Sequence, residues 1–218
     1  MAGKTFIVEH LDPELGEWSA LEYKCIARET AATGSSFYLT SVPHELQLPE
    51  PLKNVSELNV EHRGIEEIYA DKKDRVCLLD PSAKEELSPK DGDNFDIFLF
   101  GGILGDDPPR GMLRNLKLMS CLSDRFIDRT SELRKKGYQG RRLGPVQMTT
   151  DTAVRTTRIV VQDRIELENI KYVDHPTIKV DEHESIEMPF RYVLDKDGKP
   201  IFPEVCEISC SNPVLILY

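Results

Sequence analysis

Two short runs, "RVCLLD" at 75–80 and "FDIFLF" at 95–100, are almost wholly apolar. A strand with one face in water alternates apolar and polar residues, so continuous runs of this length predict strands buried on both faces. Such strands belong to a parallel sheet covered by helices on each side. The neighbouring patterns agree. "KTFIVEH" (4–10) and "SFYLTSV" (36–42) read as further strands. "EWSALEYKCIARETAATG" (17–34) reads as an amphipathic helix, with Trp18, Leu21, Cys25 and Ile26 near one stripe and Gly34 as its stop. Residues 43–60 hold three prolines and little periodicity, so a loop with one short helix is expected. "GIEEIYA" (64–70) is helical in pattern and "GRRLG" (140–144) is a brief strand candidate. "TTDTAVRTTRIVVQDRIELE" (149–168) reads as a helix capped by Thr149 or Thr150. Strands alternating with helices place the chain in the α/β class, a mostly parallel sheet flanked by helices.

With 218 residues the chain can bury a substantial core. Acidic residues outnumber basic ones 38 to 28, for a net charge of −10. A protein that grips nucleic acid through its phosphates normally shows a basic face, so the balance favours a neutral or cationic partner, although solubility alone also explains it. The longest apolar runs, "IFLF" and "VLIL", are too short to span a bilayer. The amino terminus enters strand-like alternation without the apolar core of a signal peptide, which makes the cytoplasm the expected address. The five scattered cysteines form no C-x-x-C pair and are expected as reduced thiols; Cys206 and Cys210, spaced C-x3-C with no histidine nearby, make a poor zinc site.

The second apolar run leads into "GGILGDDPPR" (101–110), a glycine-rich turn. It is not a phosphate loop. Gly101, Gly102 and Gly105 have the wrong spacing for a dinucleotide fingerprint, and no Gly-Lys-Ser/Thr follows. Asp106 and Asp107 would repel a pyrophosphate, and Pro108 and Pro109 prevent an immediate regular helix. What remains is either a tight turn without a ligand or a loop whose backbone approaches an uncharged or cationic one, since glycine lacks a Cβ. A second glycine-containing loop, "RRLGPVQMTTDTAV" (141–154), favours a ligand, because the carboxyl ends of strands are where open α/β sheets bind them.

Taken together, "VCLLDP", "FGGILGD", "RRLG-x-x-QMTTDTAVRTT" and "EMPFRYVLDKDGKP", with amino-terminal "VEH" and "EW-x-x-LEY", resemble a fungal family of SPOUT-class methyltransferases. That family methylates an arginine on a small-subunit ribosomal protein. The resemblance runs from about Phe6 to Pro203. It implies a single domain over residues 1–203 with a carboxyl-terminal trefoil knot, a topology that no sequence rule supplies. It also implies S-adenosylmethionine as cofactor, a sulfonium cation without phosphate. Residues Phe100, Gly101, Gly102, Ile103, Leu104, Gly105 and Asp106 would form one wall of its slot. Leu143, Gly144, Gln147, Met148, Thr149 and Thr150 would form another, with Leu79, Asp80 and Pro81 nearby.

Methyl transfer from a sulfonium is an in-line displacement in which the protein aligns nucleophile and cofactor. An arginine guanidinium is a poor nucleophile while protonated, so carboxylates that hold it and accept its proton are wanted. Glu9 at the end of the first strand, Glu17 at the start of the first helix and His10 between them are the candidate catalytic residues. Each has a plainer alternative as a cap or surface group. Asp106 and Asp107 would complete an acidic mouth for a basic protein substrate. Glu187–Tyr192 either lies over the cofactor as a lid or closes the core.

Three rivals stand: an SPOUT-class RNA methyltransferase, an inactive SAM-binding module, and an enzyme acting on a free small molecule. Residues 111–127 interrupt the family pattern between Arg110 and Asp128. Leu113, Leu116 and Leu118 would leave a ragged stripe on a surface helix, but the clean division of the motif favours a translated intron. The tail 204–218 also departs from the pattern.

Overall fold

The computed structural model describes residues 3–10, 14–101, 129–179 and 185–203. Its centre is a six-stranded, wholly parallel sheet in the order β3-β2-β1-β5-β4-β6. The strands are β1 (Thr5–Glu9), β2 (Ser36–Thr40), β3 (Leu58–Val60), β4 (Val76–Leu79), β5 (Ile97–Gly101) and β6 (Gln139–Arg141). The two apolar runs are β4 and β5, and every residue of β4 is buried.

Alternate side chains explain that burial. Phe6, Val8, Cys77, Leu79, Phe98 and Phe100 point to one face, into the larger core with α1 (Glu17–Ala32) and α6 (Thr150–Val161). Ile7, Val76, Leu78, Ile97 and Leu99 point to the other, where Ile65 of α3 (Ile65–Ile68) and Leu133 of α5 (Arg129–Lys135) cover them. Each large apolar side chain so buried contributes about 1.5–3 kcal/mol. Phe6 and Phe98, opposite one another in the β1–β5 register, stack at 5.8 Å.

The helices α1 and α6 lie together over the first face, and α4 (Asp91–Asn94) meets α6 so closely that a Cβ on Gly92 would sit 2.5 Å from the Val161 carbonyl oxygen. Beyond the sheet, β7 (Tyr172–Asp174) pairs antiparallel with β10 (Arg191–Val193), and β8 (Thr177–Lys179) with β9 (Ser185–Glu187).

Three expectations need correction. Residues 43–60 contain α2 (Glu50–Lys53) and also the edge strand β3, whose three residues are too few to show a period. The helix expected over 149–168 ends at Val161, and Arg164 takes a left-handed φ of 60° just beyond it. Thr149 is the N-cap residue, yet its hydroxyl donates to Thr152 Oγ1 (2.8 Å) and does not cap the backbone. The insertion 111–127, the tail 204–218 and residues Gly102–Asp107 lie outside the described residues. So does the stretch 102–128 as a whole.

Candidate active site

Parallel strands bring all their carboxyl ends to one edge, and several of the expected site residues that are described lie there. Glu9 ends β1 directly opposite Thr40 of β2 on one side and Gly101 of β5 on the other. Leu79 ends β4 beside Phe100, and Asp80 and Pro81 follow it. The Asp80 amide donates to the Arg141 carbonyl (2.9 Å), which ties the end of β4 to the loop carrying Leu143 and Gly144.

The wall facing this edge is largely apolar. Leu79, Phe100 and Met148 are buried, and Leu143 is half-buried against the main core. Gly144 has φ +89°, a conformation L side chains rarely adopt, and a Cβ there would have nothing within 4 Å. Glycine is thus required by the turn and leaves open space beside it. Gly101 differs. A Cβ on it would come 3.0 Å from Thr130 Oγ1, so a larger residue would crowd the start of α5. The charge nearest the wall is already matched: Arg134 donates to both Asp80 oxygens (2.5 and 2.7 Å), and the Ser82 amide donates to one of them (2.9 Å). Burial acts to raise the Asp80 carboxyl, but these hydrogen bonds and the guanidinium charge outweigh it and hold it below the usual carboxylate range.

The carboxyl-terminal segment borders the second loop. The Arg191 amide donates to the Gln147 carbonyl (3.0 Å), and Met148 bridges to Arg191. Met188, Phe190 and Tyr192 form a separate small core with Trp18, Val173 and Phe202. Glu187–Tyr192 therefore does two things: it closes a core and it braces Gln147–Met148. Phe190 holds φ +77° in doing so, a costly conformation for an aromatic residue that its buried ring sustains.

The three candidate catalytic residues occupy unlike environments. Glu9 is buried and fully engaged: Oε2 accepts from the Thr40 hydroxyl (2.5 Å) and the Ile65 amide (3.2 Å), and Oε1 from the Ser41 hydroxyl (2.7 Å). It thereby holds Ser41, which has φ +57°, and the start of α3. His10 is buried, with its ring edge-on to Tyr23 at 6.2 Å. Glu17 lies exposed in the first turn of α1, next to Trp18 and so beside the carboxyl-terminal core.

Residues 5–208 match the family described as protein arginine N-methyltransferase SFM1-like. The chain belongs to that family. It is 44% identical over 212 residues to protein arginine N-methyltransferase SFM1 of Saccharomyces cerevisiae, a match covering 91% of this chain and 90% of that protein. The crystal structure of yeast SFM1 complexed with SAM is 42% identical, with a TM-score of 0.75 over 93% of this chain and 87% of that one. Its complex with SAH gives 42% identity and a TM-score of 0.74, covering 91% of each chain. Trm10 from Thermococcus kodakaraensis, 17% identical with a TM-score of 0.51 over 75% of this chain and 95% of that one, shares the SPOUT-type fold. Among the described residues no helix is long and apolar enough to cross a membrane.

Family motifs pointed to the loops but missed the ionic cluster beneath them. Between α1 and α6, Arg155 donates from Nε to both Glu29 oxygens (3.1 and 3.0 Å), from Nη2 to Glu29 Oε1 (2.7 Å) and from Nη1 to Asp151 Oδ2 (3.3 Å). Cys25 adjoins them, its thiol pushed up to about 12 by burial and by the Glu29 charge. Glu22, also buried, accepts from the Thr150 amide (3.1 Å), supplying the cap that Thr149 does not. The available signal was Asp151 and Arg155, an acid and a base four residues apart on one helix.

Proposed function

We propose that this chain is a SAM-dependent methyltransferase that modifies an arginine on a small-subunit ribosomal protein, working in the cytoplasm. The reading rests on one observation: the family's motif residues, Leu79–Pro81, Phe100–Gly101 and Leu143–Thr150, meet at one sheet edge. There Leu79, Phe100, Leu143 and Met148 supply apolar surface, Gly144 leaves space, and Asp80 is already matched by Arg134. This suits a flat uncharged ring better than a phosphate, and it fits SAM. The knot implied by the family would complete the slot through Gly102–Asp106.

When bound, SAM supplies the methyl group together with its own leaving group. The chain's residues do the rest. Loop 147–150, braced by β10, and the end of β5 fix where the methyl lies, and Glu17 holds the incoming guanidinium. As its nitrogen gains the methyl it gives up a proton, which Glu17 accepts. Glu9 has no oxygen to spare, so its part is to hold the β2–α3 side of the mouth, with His10 packed behind it. A net charge of −10 favours a basic protein over RNA.

The test supplies methyl-labelled SAM with small-subunit ribosomal proteins and, separately, ribosomal RNA. Label is expected in protein, released as methylarginine on hydrolysis. Label confined to RNA would reverse the assignment of substrate.

A further inference from the structure

The buried acids between α1 and α6 lie directly below loop 147–150, and their hydrogen bonds do not balance while all are ionised. Glu22 and Asp151 are each 1% exposed. Asp151 Oδ2 accepts from Arg155, but Asp151 Oδ1 is buried with no donor. Glu22 Oε1 accepts from the Thr150 amide, and its carboxyl lies against that of Asp151. A buried acceptor without a donor and a pair of adjacent carboxylates are each costly, and one proton relieves both.

We propose that Glu22 is a positioning residue that works in its protonated form. It accepts from the Thr150 amide with one oxygen and donates to Asp151 Oδ1 with the other, and so fixes the first turn of α6 and the loop ahead of it. As a claim about cofactor affinity, this rests on the reading of 147–150 as a SAM-binding loop.

The groups around Glu22 support this. On α1, Tyr23 adjoins it, with Cys25 one turn and Glu29 two turns further on. On α6 stand Asp151 and Arg155, on β10 Tyr192, and just past β1 His10 lies behind Tyr23. The one guanidinium is taken by Glu29 and Asp151 Oδ2. Burial, and then the Asp151 charge, raise the Glu22 carboxyl well above the usual range, while the Thr150 and Asp151 amides offset this only in part. Burial, and then the Asp151 charge, push the Tyr192 hydroxyl up, so it too stays neutral.

Glutamine copies the protonated acid, with one acceptor and one donor in the same places, whereas alanine supplies neither. The test compares wild type, Glu22→Gln and Glu22→Ala by SAM titration from pH 6 to 9 and by amide exchange at Thr150. Glu22→Gln should bind SAM within about twofold of wild type at pH 7 and lose less affinity toward pH 9. Glu22→Ala should bind at least tenfold more weakly, with faster exchange at Thr150. Should the alanine variant not fold, the glutamine variant decides alone. A folded Glu22→Gln that binds tenfold more weakly, or exchanges Thr150 faster than wild type, overturns the proposal. So does a Glu22→Ala that matches wild type in both readouts. If wild type bound no SAM, the proposed activity would fall, while Thr150 exchange would still decide the role of Glu22.

Discussion

Glu9 and Glu22 are both 1% exposed, and each accepts a hydrogen bond from the backbone amide at the start of a helix, Ile65 for one and Thr150 for the other. Their surroundings differ. Glu9 accepts from two hydroxyls and the amide, so that both its oxygens are engaged. Glu22 faces the Thr150 and Asp151 amides but also a second carboxyl, toward which the proposed proton points. Burial alone therefore does not decide how a carboxylate behaves; the ratio of donors to acceptors around it does. Glu9 ties β1 to Ser41 and the start of α3, whereas Glu22, as proposed, ties α1 to the start of α6.

The largest expected effect breaks the second region outright. Arg155→Met removes the cation that offsets Glu29 and Asp151 and leaves buried acids unmatched, so we expect a loss of about 3–5 kcal/mol in urea unfolding. A loss below about 1 kcal/mol would mean that the cluster relaxes into water and is not a fixed support. A smaller effect is expected in the first region. Glu9→Gln turns an acceptor toward a ring of donors into a donor, at a cost of about 2 kcal/mol. Equal destabilisation by Glu9→Gln and Glu22→Gln would erase the contrast between the two sites.

The smallest effect is a slope. Because the folded state raises the Glu22 carboxyl, it retains a proton that the unfolded chain releases in the ordinary carboxylate range. Stability from this group is present at acid pH and is lost as pH rises from that range through the raised value. Glu22→Gln lacks this component. Its unfolding free energy should gain on wild type as pH increases, and curves that stay parallel would show that Glu22 titrates alike in both states.

Much of this architecture was legible because a buried strand cannot hide its composition. "VCLL" and "IFLF" announced strands covered on both faces, and β4 and β5 are those strands. The three-residue strand β3 was not legible, since Leu58 and Val60 flanking Asn59 cannot be told from loop by period; pairing with β2 makes it a strand. The cap of α6 was misread for a related reason. Thr149 has the right residue type in the right place, but the group that meets the Thr150 amide comes from position 22, and sequence proximity carries no information about it. The motif loops at the candidate site were found through family resemblance, whereas the buried acids that support them obey long-range complementarity. Glu17, alone among the three catalytic candidates, is exposed and free to meet a substrate.

Glu17 is the residue on which the proposed chemistry turns. Single-turnover methyl transfer by Glu17→Gln, measured beside SAM affinity in the same preparation, separates chemistry from binding. We expect the transfer rate to fall about 100-fold or more, the range for loss of a positioned proton acceptor, with SAM affinity within about twofold of wild type. A rate equal to wild type would contradict the account and return Glu17 to the solvated surface of α1.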